Sequence, residues 1–179
     1  GCEIIRASVY DENCAKAIPK IKDKISIPFV ADIHFDYKLA VAAIENGADK
    51  IRINPGNIGS DDRVKKVVDC AKSHSVPIRV GVNSGSLPKD LQSRYGSTPK
   101  AMVEAALRHV RLLEKFGFND IVVSIKSSSV VKTIESCTDF AKVSDYPQHI
   151  GVTEAGSARQ GFINAAMGIG ALLYNGIGD

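Results

Sequence analysis

Short apolar segments rich in Ile and Val alternate along the chain with segments whose apolar residues follow helical spacing. Almost continuously apolar segments are typical of strands buried on both faces, as in parallel sheets. The pattern predicts six strands, at Glu3–Val9, Pro28–Ile33, Asp49–Ile53, Pro77–Val82, Asn119–Ile125 and Gln148–Val152. It also predicts six helices, at Asp11–Lys24, Asp36–Asn46, Ser60–His74, Thr98–Phe116, Ser127–Val143 and Arg159–Tyr174.

Residues at the segment ends support two of these helices in particular. Asp36 can cap the start of the second helix, and Gly47 follows its end, where a left-handed residue commonly stops a helix. The fourth helix has Thr98 as a cap, Pro99 at its first position and Gly117 just past its end.

A strand followed by a helix, repeated six times, predicts a parallel sheet with right-handed crossovers. A doubly wound open sheet and a (β/α)8 TIM barrel both fit this order. An open nucleotide-binding sheet usually has a glycine-rich turn after its first strand, but here Val9 is followed by Tyr10-Asp11-Glu12. Polar residues instead follow every predicted strand, as in a barrel, so we expect one domain over residues 1–179, an incomplete barrel of six βα units.

Composition and charge exclude several other classes of protein. The chain has 179 residues, of which 44% are hydrophobic and 24% charged, as in a globular domain with one core. No apolar run approaches the ~20 residues that a membrane helix needs, so we expect no membrane partner. The net charge of +3 arises from a small scattered excess and gives no support for nucleic-acid binding.

The four cysteines lie far apart in the sequence, at Cys2, Cys14, Cys70 and Cys137. They form no Cys-x-x-Cys pair, so neither a disulfide framework nor a metal site built from them is expected. Scattered reduced cysteines are typical of a cytoplasmic protein, which is the location that we predict.

Four basic residues interrupt the apolar strands: Arg6, Arg52, Arg79 and Lys126. Burying a guanidinium group without a partner costs several kcal/mol, so these side chains need negative charges. Asp32 and Glu154 could supply internal ion pairs. In a barrel, however, the four cations would meet at one opening and outnumber those acids, which favours a bound diphosphate, with Ser124 on the same strand face as Lys126.

Other polar residues at strand ends are candidates for catalysis or binding. Asp32 and His34 share a strand face and could form an acid/base pair or orient a hydroxyl; alternatively, Asp32 pairs an arginine and His34 packs at a helix start. Glu154 could be a general acid or base, or the partner of a neighbouring arginine. Asn54 and Asn83 could bind substrate hydroxyls, or could only shape the turns that follow them.

Four stretches resemble one family, the bacterial 4-hydroxy-3-methylbut-2-enyl diphosphate synthases of the non-mevalonate isoprenoid pathway. The matching stretches are Val30–Tyr37, Ala48–Gly59, Ile78–Leu87 and Gly151–Gly156. They are long and specific, and the resemblance extends over essentially the whole chain. It implies a barrel like that of dihydropteroate synthase.

The resemblance also implies an oxidoreductase activity. The family converts 2-C-methyl-D-erythritol 2,4-cyclodiphosphate to the allylic diphosphate by two-electron ring opening and dehydroxylation. Ferredoxin or flavodoxin supplies the electrons through a [4Fe-4S] cluster. The positions that match diphosphate-binding residues of the family are Arg6, Arg52, Arg79 and Lys126. The positions that match other residues of the substrate pocket are Asp32, His34, Asn54, Asn83 and Glu154; we add Ser124 as a substrate-binding candidate and take Glu154 as the candidate proton donor.

The sequence departs from the family in one respect. The family holds its cluster in a separate C-terminal domain with a Cys-x-x-Cys pair, and no such residues follow or precede Asp179 here. The family's first barrel strand and most of its last are missing too. We therefore expect a fragment that binds no cluster itself and is inactive alone, from a parent enzyme that forms a homodimer.

Two alternatives remain open at this point. Lys126 could be the Schiff-base nucleophile of an aldolase-type barrel, since a strand lysine with a lowered pKa is the usual requirement. The chain could also be a non-catalytic barrel that binds a phosphate ligand or a pterin, because a fold by itself does not specify catalysis.

Overall fold

Strands and helices alternate along the chain in the computed structural model, which describes all residues from Gly1 to Asp179. The strands are β1 (Ile5–Ser8), β2 (Phe29–Asp32), β3 (Lys50–Ile53), β4 (Ile78–Asn83) and β5 (Ile121–Lys126). The helices are α1 (Glu12–Lys22), α2 (Tyr37–Glu45), α3 (Pro55–Ile58), α4 (Asp61–His74), α5 (Lys89–Tyr95), α6 (Pro99–Lys115), α7 (Val130–Ala141) and α8 (Ala158–Tyr174). The six predicted helices are thus confirmed, and α3 and α5 are additional short helices in segments that were predicted as loops.

The five strands form one sheet in the order β1-β2-β3-β4-β5, so strands that follow each other in the chain are neighbours. The pairs β1–β2, β2–β3 and β3–β4 are parallel. The centre of this part of the sheet is apolar, with Ile51, Ile53 and Ile78 fully buried. The predicted parallel sheet built from βα units is therefore confirmed.

The first strand is more exposed than the sequence pattern suggests. Its residues Ile5 and Arg6 are exposed, and Ala7 and Ser8 are only partly buried, whereas all four residues of β2 are buried. The prediction that every strand is buried on both faces is wrong for β1. The physical reason is its position at the end of the sheet, where it pairs with β2 alone.

The predicted sixth strand is reduced to a single parallel bridge between Val123 and Gln148. Its hydrogen bonds with β5 begin normally, since the Val123 N–H donates to Pro147 O (2.9 Å) and the His149 N–H donates to Val123 O (2.8 Å). The next contact is a longer bond from the Thr153 N–H to Ser127 O (3.3 Å), so a continuous ladder does not form. The count of six strands in the sequence analysis is therefore corrected to five.

The helix boundaries follow the predicted capping residues. The Asp36 carboxylate accepts a hydrogen bond from the Lys38 N–H (2.9 Å) at the start of α2, and Gly47 has a φ of 87° after its end. Thr98 accepts a hydrogen bond from the Ala101 N–H (3.4 Å) in the first turn of α6. Local capping thus fixes where these helices begin and end.

The chain divides into two compact units. The first unit comprises Gly1–Val80 and His109–Ile121, and α2 packs on α4 within it. The second unit comprises Gly81–Arg108 and Val122–Asp179, and α7 packs on α8 within it. None of the helices has the length and apolar character to cross a membrane.

Candidate anion-binding site

The register of the sheet places three charged residues of the first unit in one row. Asp32 in β2 is the partner of Arg52 in β3, and Arg52 is the partner of Arg79 in β4. Residues that are register partners in parallel strands direct their side chains to the same face of the sheet. Arg6 is the partner of Val30, two residues before Asp32, so its side chain lies on that face as well.

Asp32 is the negatively charged centre of this row. Its Oδ2 accepts a hydrogen bond from Arg6 Nη1 at 2.7 Å, and its Oδ1 accepts one from Arg52 Nη1 at 3.0 Å. The carboxylate side chain is only 5% exposed, while those of Arg6 and Arg52 are 50% and 12% exposed. Each oxygen of Asp32 therefore already has a guanidinium partner, which is the ion-pairing arrangement that the sequence analysis left open.

Arg79 is buried beside this ion-pair network and makes no salt bridge of its own. The residue is 5% exposed, and the salt bridges of Asp32 go to Arg6 and Arg52. Burial, together with the positive charges of Arg6 and Arg52, lowers the pKa of Arg79 to about 10, against the opposing effect of Asp32. Arg79 is thus a charged group at neutral pH, held where a cation is unfavourable.

The charges of this cluster do not cancel. Three guanidinium groups, of Arg6, Arg52 and Arg79, face one carboxylate, of Asp32, which leaves a local net charge of +2. Guanidinium groups on a shared face match the planar, multiply charged oxygens of phosphate groups. We name these four residues the arginine cluster, and its chemistry is that of a site for a doubly charged anion.

His34 lies next to the arginine cluster and is half-buried. Its Nε2 is 3.9 Å from Asp32 Oδ2, too far for a hydrogen bond, and its ring stacks on Tyr10 with 5.6 Å between ring centroids. Phe35 packs on the other side of the imidazole at 6.2 Å. The sequence analysis did not identify Tyr10, because an exposed aromatic residue after a strand has no distinctive spacing.

Asn54 follows β3 and is 6% exposed. Its Oδ1 accepts a hydrogen bond from the Gly56 N–H at 3.1 Å, so the side chain does shape the turn into α3, as one of the two alternatives predicted. The backbone of Asn54 is extended (φ −110°), which keeps its side chain on the same face as Arg52. Both predicted roles of Asn54 are therefore compatible with its position.

The other four predicted site residues belong to the second unit. Ser124 is buried in β5, Lys126 ends that strand half-buried, Asn83 ends β4, and Glu154 is exposed. The Lys126 side chain passes over Gly151, where an added Cβ would lie 3.2 Å from Nζ. The assignment of these residues to the substrate stays a prediction.

Glu154 adopts an unusual backbone conformation for a residue with a side chain. Its φ is 49°, in the left-handed region, which is uncommon outside glycine, asparagine and aspartate. Such strained residues cluster at functional sites, although strain alone assigns no role. The conformation is compatible with the prediction that Glu154 acts as an acid or base.

The residues of this chain do not fit a [4Fe-4S] cluster, which protein thiolates hold through three or four cysteines. The structure contains no group of three or more His, Cys, Asp or Glu side chains that could hold a metal ion. Cys2 is exposed, Cys14 and Cys70 are partly buried, and Cys137 is buried. Burial raises the pKa of the Cys137 thiol to about 11, against a lowering effect of Lys126, which disfavours the thiolate that would bind iron.

Curated proteins from bacteria are similar to the whole of this chain. The 4-hydroxy-3-methylbut-2-en-1-yl diphosphate synthase (flavodoxin) of Caldanaerobacter subterraneus subsp. tengcongensis is 59% identical over 180 residues, which cover 100% of this chain and 51% of that protein. The protein of the same name from Caldicellulosiruptor saccharolyticus is 60% identical, with 100% and 52% covered. The chain thus spans about half the length of the curated relatives that it matches.

Solved structures confirm the predicted barrel fold. A dihydropteroate synthase from Yersinia pestis, solved with a sulfonamide drug, superimposes with a TM-score of 0.71 at 11% identity, covering 99% of this chain and 73% of that one. At this identity the likeness concerns the fold alone. The model of the GcpE TIM-barrel domain matches residues 1–179. The chain therefore belongs to the GcpE TIM-barrel domain family.

Proposed function

We propose that this chain is the diphosphate-binding part of a 4-hydroxy-3-methylbut-2-enyl diphosphate synthase, an oxidoreductase of the non-mevalonate isoprenoid pathway. Its substrate would be 2-C-methyl-D-erythritol 2,4-cyclodiphosphate, which is opened and dehydroxylated by two electrons. Relatives that are 59% and 60% identical carry that name, which supports the proposal. The domain boundaries follow from it: residues 1–179 belong to the substrate-binding barrel.

The observation that carries the proposal is the unbalanced charge of the arginine cluster. Asp32 neutralises one of its three guanidinium groups, and Arg79 is buried without a salt bridge. A buried cation is stable only when an anion approaches it, since desolvation of the charge costs several kcal/mol. A diphosphate would supply two negative charges, which match the net charge of +2.

The residues of the cluster differ in what each can do for such a ligand. Arg52 and Arg79 are buried enough to bind phosphate oxygens away from bulk water, where charge-assisted hydrogen bonds are strongest. Arg6 is half-exposed and could follow the ligand as it enters. Asp32 orients Arg6 and Arg52 through its two oxygens, so we propose an orienting role for it rather than proton transfer.

The remaining site residues keep the roles that the family resemblance implies. We propose that Lys126 binds the diphosphate, and that Asn54, Asn83 and Ser124 bind other oxygens of the substrate. Glu154 would donate a proton to the departing hydroxyl group, a role that its exposure and strained backbone do not oppose. His34, held between Tyr10 and Phe35, would contribute a polar edge beside the cluster.

The redox centre of the reaction would lie in another part of the parent enzyme. The absence of a fitting set of ligands in this chain and its coverage of about half of each relative support a [4Fe-4S] domain elsewhere in the parent. The relatives' names specify flavodoxin, so we propose flavodoxin as the electron donor of the parent. A homodimeric parent and a cytoplasmic location stay predictions from the sequence.

A binding titration tests the proposal. We expect the cyclodiphosphate to bind the 179-residue chain, or a parent enzyme with this sequence, and Arg52→Ala to weaken binding by about 1.5–3 kcal/mol, as for loss of a charge-assisted contact. Calorimetry measures both affinities directly. In Arg52→Ala, Asp32 retains its contact with Arg6, so the fold should persist.

The matched control is Arg111→Ala, which removes the same charge from an exposed position of α6 in the same unit. It should bind with nearly wild-type affinity, because exposed charges are screened by water and salt. Equal binding by wild type and Arg52→Ala would reject the proposed site. Binding of inorganic pyrophosphate without preference for the cyclodiphosphate would support an anion site but contradict the proposed substrate.

A further inference from the structure

The hydrogen bond between Asn54 and Gly56 determines which group of the Asn54 amide is available to a ligand. The Gly56 N–H is a donor, so the atom that meets it at 3.1 Å must be the amide oxygen. The Asn54 NH₂ group is then directed away from the turn, and it donates no hydrogen bond to another residue. Asn54 therefore offers a donor, not an acceptor, on the sheet face that carries Arg52.

Gly56 is closely confined on the side away from solvent. A Cβ added to Gly56 would lie 3.2 Å from His109 Nε2 and 3.3 Å from Asn54 Oδ1, closer than nearly all real Cβ contacts. Both atoms would have to shift for any side chain to fit. The glycine is thus required for the close approach of the turn to the His109 ring.

His109 provides the support beneath this turn. It lies on α6 within the first unit and is 4% exposed, so its imidazole is enclosed by the fold rather than open to solvent. The sequence analysis had no signal for this residue, because a single histidine on an amphipathic helix usually belongs to the core. Only the fold brings it to a turn that is more than fifty residues away in the sequence.

We propose that His109 is a positioning residue of the anion site. Its imidazole supports Gly56 from below, so that Gly56 holds the Asn54 oxygen and Asn54 presents its NH₂ group to an oxygen of the bound diphosphate. This inference rests on the proposed function, since it assumes that Asn54 contacts the ligand. It assigns His109 no contact with the substrate and no proton transfer.

A double-mutant cycle on the 179-residue chain tests the inference, with inorganic pyrophosphate and the cyclodiphosphate as ligands. We expect Asn54→Ala and His109→Ala each to weaken binding about five- to tenfold, the range for loss of one neutral donor near a charged ligand. The double variant should bind no more weakly than Asn54→Ala alone, because His109 acts only through Asn54. A purely structural role of His109 would give additive effects and would overturn the proposal.

Two further variants cover the case in which His109→Ala fails to fold. Gly56→Ala disturbs the same contact from the other side, and its effect should likewise disappear in the Asn54→Ala background. Asn54→Asp keeps the oxygen that caps the turn but lacks the NH₂ donor, so it should bind at least tenfold more weakly with an unchanged circular dichroism spectrum. Unchanged binding by Asn54→Asp would overturn the assignment of Asn54 as a donor.

The design separates failure of this inference from failure of the proposed function. If Arg52→Ala weakens binding but His109→Ala and Gly56→Ala do not, the positioning role is wrong while the anion site stands. If none of the variants, including Arg52→Ala, changes binding, the proposed function itself fails. His74→Ala, at the exposed end of α4, serves as the matched histidine control and should bind like wild type.

Discussion

Asp32 and Arg52 are register partners in adjacent strands, and a hydrogen bond of 3.0 Å joins Asp32 Oδ1 to Arg52 Nη1. The same carboxylate binds Arg6 through its other oxygen. One buried acid thereby holds two guanidinium groups on a single face of the sheet. The third, of Arg79, is aligned by the next register pair but has no salt bridge, so the cluster retains the charge that an anion would neutralise.

Removal of the shared acid should destabilise the fold. We expect Asp32→Asn to lower the free energy of unfolding by about 3 kcal/mol, because Arg52 is left largely buried without its partner. Urea denaturation followed by circular dichroism measures the change. The exposed ion pair of Asp139 with Lys142 gives the control, Asp139→Asn, which should change stability by less than about 1 kcal/mol. Equal effects of the two variants would contradict the shared-acid arrangement.

Arg79 should reduce stability in the absence of ligand. Arg79→Met removes a buried cation that has no salt bridge and retains most of its apolar volume, so we expect the unliganded chain to gain about 1–3 kcal/mol. The same variant should bind pyrophosphate at least tenfold more weakly. Thermal unfolding with and without pyrophosphate measures both effects. A less stable Arg79→Met chain would mean that the fold itself satisfies the Arg79 charge.

Gly151 should control the position of Lys126 in the second unit. A Cβ at Gly151 would lie 3.2 Å from Lys126 Nζ and 3.3 Å from its Cε, so Gly151→Ala must displace the end of the lysine side chain. If Lys126 binds the diphosphate, pyrophosphate affinity should fall roughly three- to tenfold while the fold is retained. Gly85→Ala is the control, because nothing lies within 4 Å of an added Cβ there. Unchanged affinity in Gly151→Ala would argue against a role for Lys126.

Two glycines of α8 should respond oppositely to the same substitution. A Cβ at Gly168 would lie 2.7 Å from Val152 Cγ2, so Gly168→Ala forces neighbouring atoms apart and should cost about 1–3 kcal/mol. At Gly170 the space is open, and Gly170→Ala should stabilise the chain by up to about 1 kcal/mol through helix propensity. Chemical denaturation compares the two. Stabilisation by both substitutions would contradict the packing of α8 on the Val152 segment.

Asp49 should make stability depend on acid pH. Partial burial would raise the pKa of Asp49, but hydrogen bonds from Lys22 Nζ (2.5 Å) and the Phe29 N–H (2.7 Å) outweigh it and hold the pKa below its ordinary value of 3.8. The carboxylate therefore stabilises the fold above pH 3.8, and this contribution is lost as the pH falls through the lowered value.

The corresponding variant is Asp49→Asn. Its free energy of unfolding should be lower than that of wild type at pH 7 and should decline less steeply in acid, as measured by urea denaturation at several pH values. Parallel curves for the two proteins would show that Asp49 does not contribute in this way. Asp139→Asn again provides the comparison for an exposed acid.

Much of the fold could be predicted because its signals are local. Apolar segments such as Ile51–Ile53 specify buried strands, and capping residues such as Asp36 and Gly47 fix helix ends within a few residues of themselves. The exposed β1 and the missing sixth strand could not be predicted, because hydrogen bonding between strands depends on neighbours that are distant in the sequence. The two short helices formed where turn residues had indicated loops.

The sequence by itself determined which residue types stand at the ends of the strands, since side-chain alternation follows from the backbone of each strand alone. It therefore identified Arg6, Arg52 and Arg79 as cations in an apolar setting. Only the tertiary structure decided that Asp32 is shared by two of them, and that His109 lies beneath Gly56. The physical reason is that register and helix packing bring together residues far apart in the chain, and these contacts determine which charge stays without a partner.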